Sequence, residues 1–214
     1  MSFTDDAWHG KTRKNPPYDT MTIQTFQTLP KEKTKVPRSM APDTIYVAPL
    51  SLVETTVADA GVSHLVTLIN GETPIPTPPG IGPDRHLRLA MNDICEPQPG
   101  LVLPCETHVF ELIDFARAWD RQAPLLIHCW AGISRSTAAA YISLCALNPE
   151  GSEHALAWTL RRASPTAYPN RLLVALADEA LSRNGRMISA VEEIGRGRIA
   201  EEAEVFALPA LLAA

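Results

Sequence analysis

The sequence predicts an α/β fold: a single domain with a central, mainly parallel sheet flanked by helices. Three observations carry this. From Thr44 to about residue 184, short runs of aliphatic and β-branched residues alternate with stretches whose apolar residues recur at helical spacing. One run, Pro124–His128 (PLLIH), is continuously apolar, as strands are when a parallel sheet buries both faces. A composition of 45% hydrophobic and 20% charged residues over 214 positions supports one buried core and excludes wholesale disorder, collagen-like and disulfide-scaffold classes.

Thr44–Ala48 (TIYVA) reads as the first strand. Ser51–Ala60 follows as a short helix, with Ser51 as N-cap and Gly61 as stop. Ser63–Ile69 (SHLVTLI) is the next strand, and a Pro- and Gly-rich loop, Asn70–Pro83, is long enough to form a functional rim. His86–Met91 is a third strand, ending at Asn92 and Asp93. Glu106–Arg121 carries a helical stripe of Val109, Leu112, Ile113, Ala116 and Trp119 before the buried strand at Pro124. Arg135–Leu147 is Ala-rich and apolar on nearly all sides, so this helix belongs inside, and Pro149 ends it. Ser152–Ala163, Asn170–Asn184 and Met187–Ala203 read as further helices, which makes residues 185–214 a C-terminal helical extension.

Residues 1–40 are a different kind of sequence. They are rich in Thr, Lys, Pro and Gln without a periodic apolar pattern, and read as a flexible basic extension. Lys11, Arg13, Lys14, Lys31, Lys33, Lys35 and Arg38 face only Asp5, Asp6, Asp19 and Glu32 there, giving +3 within a chain whose net charge is −5. That overall balance argues against nucleic acid as a partner. No apolar run approaches the roughly 18 residues that span a bilayer, so no membrane association is expected. The opening MSFTDDAWHG lacks an apolar leader core, and a cytoplasmic location is the expectation. Cys95, Cys105, Cys129 and Cys145 have neither C-x-x-C spacing nor a histidine at zinc-ligand spacing. Reduced thiols and no metal are expected.

The chemistry concentrates in His128-Cys129-Trp130-Ala131-Gly132-Ile133-Ser134-Arg135-Ser136, between a buried strand and a buried helix. A sulfur there sits at the base of a loop whose amides can turn inward, at the positive end of a helix that opens with Arg135. Each of these favours negative charge, and cysteines so placed are thiolates at neutral pH. The same amides of Trp130, Ala131, Gly132, Ile133 and Ser134, with the planar fork of Arg135, suit a tetrahedral phosphate dianion. Gly132 lets the loop curve. Phosphoryl transfer onto sulfur is the chemistry such a cradle serves, and Ser136 can donate its hydroxyl to the Cys129 sulfur when the thiolate leaves. Trp130 is read either as a stacking surface for an aryl phosphate or as a packing residue.

His-Cys-x5-Arg-Ser between strand and helix resembles the signature loop of the cysteine-based protein tyrosine phosphatase superfamily, and HCWAGISRS is most similar to the dual-specificity phosphatases. The similarity runs from about Thr44 to Asn184, a dual-specificity phosphatase-like domain bounded at 41–184. VSHLVTLIN resembles the family's second core strand and RLAMND its strand leading to the general-acid loop. RRASPTAYPNRLLVALADEAL resembles the helix-turn-helix with a Pro-Asn pair.

The resemblance implies a metal-independent, cofactor-free phosphomonoester hydrolase acting through a cysteinyl-phosphate on a phosphorylated protein or small phosphomonoester. It implies that Asp93 protonates the leaving oxygen and later activates water, with Asp84 and Glu96 as alternatives. It also implies that His128 orients the cysteine and that Asn170 buttresses the loop. The Lys-Asn-Arg-Tyr recognition loop of classical tyrosine phosphatases has no counterpart, and Trp130–Ser134 lacks the lysines of phosphoinositide phosphatases. The alternative readings are a phospho-ligand-binding module without turnover, or the same chemistry on a lipid or small-metabolite phosphate. Cys95, Cys105 and Cys145 read as inert thiols, or as partners for a protective disulfide to Cys129. His64, His86, His108 and His154 read as structural or surface residues.

Overall fold

In chain order the strands are β1 (Thr44–Pro49), β2 (His64–Ile69), β3 (His86–Ala90), β4 (Leu125–Cys129) and β5 (Phe206–Pro209). The helices are α1 (Val53–Ala60), α2 (Glu106–Ala118), α3 (Arg135–Leu147), α4 (Glu153–Ala163), α5 (Arg171–Ala180) and α6 (Arg186–Ile194). This is a computed structural model, which describes residues 42–212; the basic extension expected over 1–40 lies outside them. The sheet order is β3-β2-β4-β1-β5, parallel except for β5, which runs antiparallel to β1. The predicted class, one α/β domain around a mainly parallel sheet, is therefore the observed one.

Side-chain alternation along the strands divides the core. Ile45, Val47, Val66, Leu68, Leu125 and Ile127 pack with the side chains of α2 to α6. Tyr46, Ala48, Leu65 and Leu126 point the other way, where α1 contributes Val53, Val57 and Ala60. The Asn70–Pro83 loop joins them there, placing Ile81 in the same cluster. Because both faces are covered, β1, β2 and β4 are buried along their whole length, which explains their continuous apolar runs. α3 is buried from Arg135 to Ala146 and touches α2, α4, α5, β1 and β4, as its all-round apolar composition predicts. Its buried hydroxyls are all partnered: Ser143 donates to Ala139 O within the helix, Thr137 to Ser134 O in the preceding loop, and Tyr141 to Glu153 O in α4.

Three local expectations are corrected. Ser51 is not the N-cap of α1; Leu50–Leu52 form a 3-10 turn first, and the Ser51 hydroxyl donates to the Glu202 carboxylate. The helix expected over Asn170–Asn184 stops at Ala180, because Asp178 instead accepts the amides of Gly185 and Met187 and so caps α6. The helix expected over Met187–Ala203 ends at Ile194, so residues 185–214 are not helical throughout. Gly195 breaks it in the left-handed region at φ 65°, and the chain then crosses closely over the 166–167 backbone. A Cβ on Gly197 would lie 2.6 Å from the carbonyl oxygens of Thr166 and Ala167. Phe206–Pro209 then adds the edge strand β5, with Phe206 and Leu208 in the larger core cluster. No helix among the described residues is long and apolar enough to cross a membrane.

Candidate active site

β4 delivers Cys129 to its carboxyl end, and α3 starts at Arg135, leaving Trp130–Ser134 to make the turn between them. Gly132 is required twice over. Its φ is +72°, and a Cβ there would lie 2.8 Å from the Pro49 nitrogen and 3.0 Å from the Ala48 carbonyl carbon. The loop is held from outside by its carbonyls. Trp130 O accepts from the Leu50 amide, Ala131 O from Ala203, Ile133 O from Tyr168, and Ser134 O from Ala138 and Asn170. With the carbonyls turned outward, no backbone amide from Trp130 to Ser134 donates to any partner among the described residues. A concave row of free donors remains at the N-terminus of α3.

The named side chains gather around that row. Cys129 is 2% exposed, and its sulfur lies 3.2 Å from the Ser136 hydroxyl. Arg135, 5% exposed, donates one terminal nitrogen to Met91 O at 2.9 Å, which aims the guanidinium. Its Nε is buried without a hydrogen-bond partner among the described residues, 3.9 Å from Asp93 Oδ2. A buried donor left unpaired is costly and rare, and an anion in the loop is what would satisfy it.

Asp93 follows β3 at the same edge of the sheet. Its Oδ1 accepts from the Ser134 hydroxyl at 2.7 Å and from Asn170 Nδ2 at 2.8 Å. Oδ2 has neither bond and faces Arg135. Asp84 precedes β3, at the opposite end of that strand, and Glu96 is exposed with no bond to the loop. Asn170 also N-caps α5 through Leu173 and donates its own amide to Ser134 O, so one residue ties acid, loop and helix together.

Behind Cys129, His128 Nε2 lies 2.7 Å from the Thr67 hydroxyl, and Thr67 lies 2.8 Å from His86 Nε2. Burial, with Arg135 adding and the Cys129 backbone opposing, pushes His128 down to about 4. His86 is likewise brought to about 4 by burial, then by Arg88 and His128. Thr67 was not singled out from the sequence, and His86 was read there only as a structural or surface histidine. Their signal was two polar residues in buried strands, with the register setting Thr67 directly opposite His128. Trp130 is 46% exposed, which rules against the packing alternative, and its Nε1 lies 3.4 Å from Asn70 Oδ1. The Asn70–Pro83 loop lines a cavity of about 480 Å³ next to it, walled by Ile69, Pro74, Ile75, Pro76, Arg88 and Leu89.

Sequence reasoning also missed the C-terminal contribution: Ala203 holds the loop at Ala131 through a backbone bond that no side-chain pattern signals. All four cysteines are free. Among the described residues, no group of three or more His, Cys, Asp or Glu side chains could hold a metal ion.

No protein-family model matches the sequence, and no curated protein is similar to it. Solved structures do match. Human DUSP28 superposes with a TM-score of 0.50 at 22% identity, covering 68% of this chain and 98% of that one. A human tyrosine phosphatase-like serine/threonine/tyrosine-interacting protein gives a TM-score of 0.51 at 18% identity, over 65% of this chain and 92% of that one. The chain has the fold of these phosphatase-like structures, a protein tyrosine phosphatase fold.

Proposed function

We propose that the chain is a phosphomonoester hydrolase of the protein tyrosine/dual-specificity phosphatase type, working through a cysteinyl-phosphate with no metal in the reaction. The observation that carries this is a buried thiol at the base of a loop whose amides, together with Arg135 Nε, donate to nothing within the described residues. A phosphate dianion supplies the missing acceptors.

The Cys129 thiolate attacks phosphorus in line with the ester oxygen. As the S–P bond forms and the P–O bond breaks, Asp93 Oδ2 passes its proton to the leaving oxygen, which departs as the alcohol or phenol. A dianion beside a carboxylate favours proton uptake by that carboxylate, so substrate binding itself readies the acid. The loop amides and Arg135 carry the charge on the three equatorial oxygens. Water then attacks phosphorus, Asp93 takes its proton, and the P–S bond breaks. The Ser136 hydroxyl, 3.2 Å from sulfur, stabilises the departing thiolate.

Trp130 and the neighbouring cavity support a substrate with an extended body rather than free phosphate. Its apolar walls suit an apolar side chain next to the phosphoresidue of a phosphorylated protein. The test is hydrolysis of a small aryl phosphate, with chelator present, by the wild-type chain and by Cys129→Ser. Turnover confined to the wild type is the expected outcome. Binding of vanadate by both without turnover by either would replace the reading with a phospho-binding module, and equal activity in both would remove Cys129 as nucleophile.

A further inference from the structure

The chain after α6 lies outside the stretch that resembles the phosphatase family, and the mechanism above gives it no task. Residues 195–203 nevertheless form a strap along the outside of the Trp130–Ser134 loop. Ala203 donates its backbone N–H to Ala131 O at 2.8 Å, and Arg198 donates its own to Pro165 O at 2.9 Å. The Arg196 guanidinium lies over the Tyr168 ring, 5.4 Å from its centre.

Each outward carbonyl of the loop sets one inward amide. In a trans peptide the C=O and the N–H of the next residue point in opposite directions. The bond to Ala131 O therefore turns the Gly132 N–H inward, and the bonds to Ile133 O do the same for the Ser134 N–H. These holds are unequal. Ile133 O accepts from the Tyr168 amide and from the Thr137 hydroxyl, whereas Ala131 O accepts from Ala203 alone among the described residues. Ala131 O also belongs to the peptide before Gly132, whose φ of +72° is a conformation glycine enters at no steric cost. A peptide before such a glycine can flip between two turn forms with little else moving, which here would aim a carbonyl at the phosphate. The strap supplies the bond that opposes the flip.

Arg161 fixes the strap to its support. Its Nη2 donates to Gly195 O at 2.8 Å, where the strap begins, and its Nη1 to Ser164 O at 3.3 Å and Pro165 O at 3.0 Å. Pro165 O is shared with the Arg198 amide, so one carbonyl joins α4, the 164–168 turn and the strap. No carboxylate pairs with Arg161 among the described residues, and carbonyls alone take its planar fork. Gly197 lets the two backbones meet, at a distance that leaves no room for a Cβ.

We infer that the strap completes the anion cradle: the Ala203 amide locks the Ala131–Gly132 peptide with its N–H toward the phosphate, and Arg161 and Gly197 are the positioning residues that hold the strap there. The catalytic consequence rests on the phosphatase reading, whereas the anion-binding consequence does not.

The test uses the full chain labelled with ¹³C-carbonyl alanine and ¹⁵N-glycine and titrated with vanadate. The sequence has two Ala-Gly peptides, Ala60–Gly61 and Ala131–Gly132, so two coupled amide signals report. In the wild type the Gly132 signal is expected to move as vanadate binds and the Gly61 signal to stay. Arg161→Met removes all three carbonyl bonds, and Gly197→Ala forces the strap off the turn. Each is expected to split or weaken the Gly132 response and to raise the vanadate Kd at least about fivefold. Each is also expected to lower kcat at least about tenfold, part of the roughly 10²–10³ that deleting one oxyanion donor costs. That loss is expected to be the same on alkyl and aryl esters, because the acid is untouched. Arg161→Lys keeps the charge and one donor, and is expected to fold as the wild type does and to fall between. Arg162→Met, at an exposed arginine that donates to Thr159, is expected to change none of these readings.

A Gly132 amide that vanadate leaves unmoved in the wild type would overturn the inference. So would a vanadate Kd and a Gly132 response unchanged in the folded Arg161 and Gly197 variants, whatever happens to kcat. Vanadate binding with the expected Gly132 shifts in a chain without turnover would overturn the phosphatase reading and leave the strap's role standing.

Discussion

At the scale of residues, Asp93 is where geometry and chemistry are most tightly joined. Ser134 and Asn170 occupy Oδ1, and the proposed mechanism assigns the proton transfer to Oδ2, which has neither bond. Asp93→Asn is therefore expected to cost about 10²–10⁴ in kcat on an alkyl phosphate, whose leaving oxygen needs a proton, and much less on the phosphate of an acidic phenol. Steady-state rates on the two substrates check this; an equal loss on both would assign Asp93 to loop structure alone. Gly132→Ala is the second case. Its positive φ and a Cβ 2.8 Å from the Pro49 nitrogen force the loop to move. A displacement of about 1 Å in such a site can lower kcat about 10²-fold, and activity with vanadate binding would show both effects together. The Cys129, Arg135 and Ser136 cluster was legible in the sequence because its members lie within eight consecutive positions, so a strand-turn-helix reading brings them together. The partners of Asp93 were less legible: Asn170 is distant in sequence, and Ser134 entered only through its amide.

At the scale of elements, the polar row beneath the Asn70–Pro83 loop makes stability depend on pH. His86 and His128 stand at about 4 in the folded chain against 6.5 when unfolded. Between those values the unfolded chain binds more protons, so stability is full above about pH 6.5 and falls as pH drops toward about 4. Denaturant midpoints across that window are expected to decline, and His86→Gln to flatten the decline; identical slopes would contradict the assignment of burial as its cause. This layer escaped sequence reading because a histidine in a strand does not announce which face it occupies or what stands across from it. Strand β5 escaped for a different reason. The apolar spacing after Met187 continues plausibly as helix, and only the left-handed Gly195 and the close crossing at Gly197 redirect it to the sheet edge.

At the scale of the whole molecule, the site depends on parts far from it in sequence. β1, β2 and β4 are buried strands that fix where the loop begins, and α3 is a buried helix that fixes where it ends. The sheet class and the central helix were legible because continuous apolar runs have few other places to go. The helical layer also rests on Glu153, whose carboxylate lies 3.0 Å from both Arg183 and Arg186. Arg183 meanwhile donates to the carbonyls of Cys145, in the last turn of α3, and of Pro149 just beyond it. Glu153→Ala leaves the Arg183 charge buried without its partner and is expected to destabilise the fold by about 3–5 kcal/mol, read as a lower denaturation midpoint. A change within about 0.5 kcal/mol would mean that water replaces the carboxylate there.

The proposed mechanism passes through a covalent phosphate on one sulfur, and this can be observed directly. The wild-type chain is mixed with a small aryl phosphate, quenched in acid during turnover, and digested for peptide mass spectrometry. One added phosphoryl group is expected on the peptide containing Cys129, absent from Cys129→Ser and absent when vanadate is present. Turnover without that adduct, or with the phosphoryl group on another residue, would contradict it.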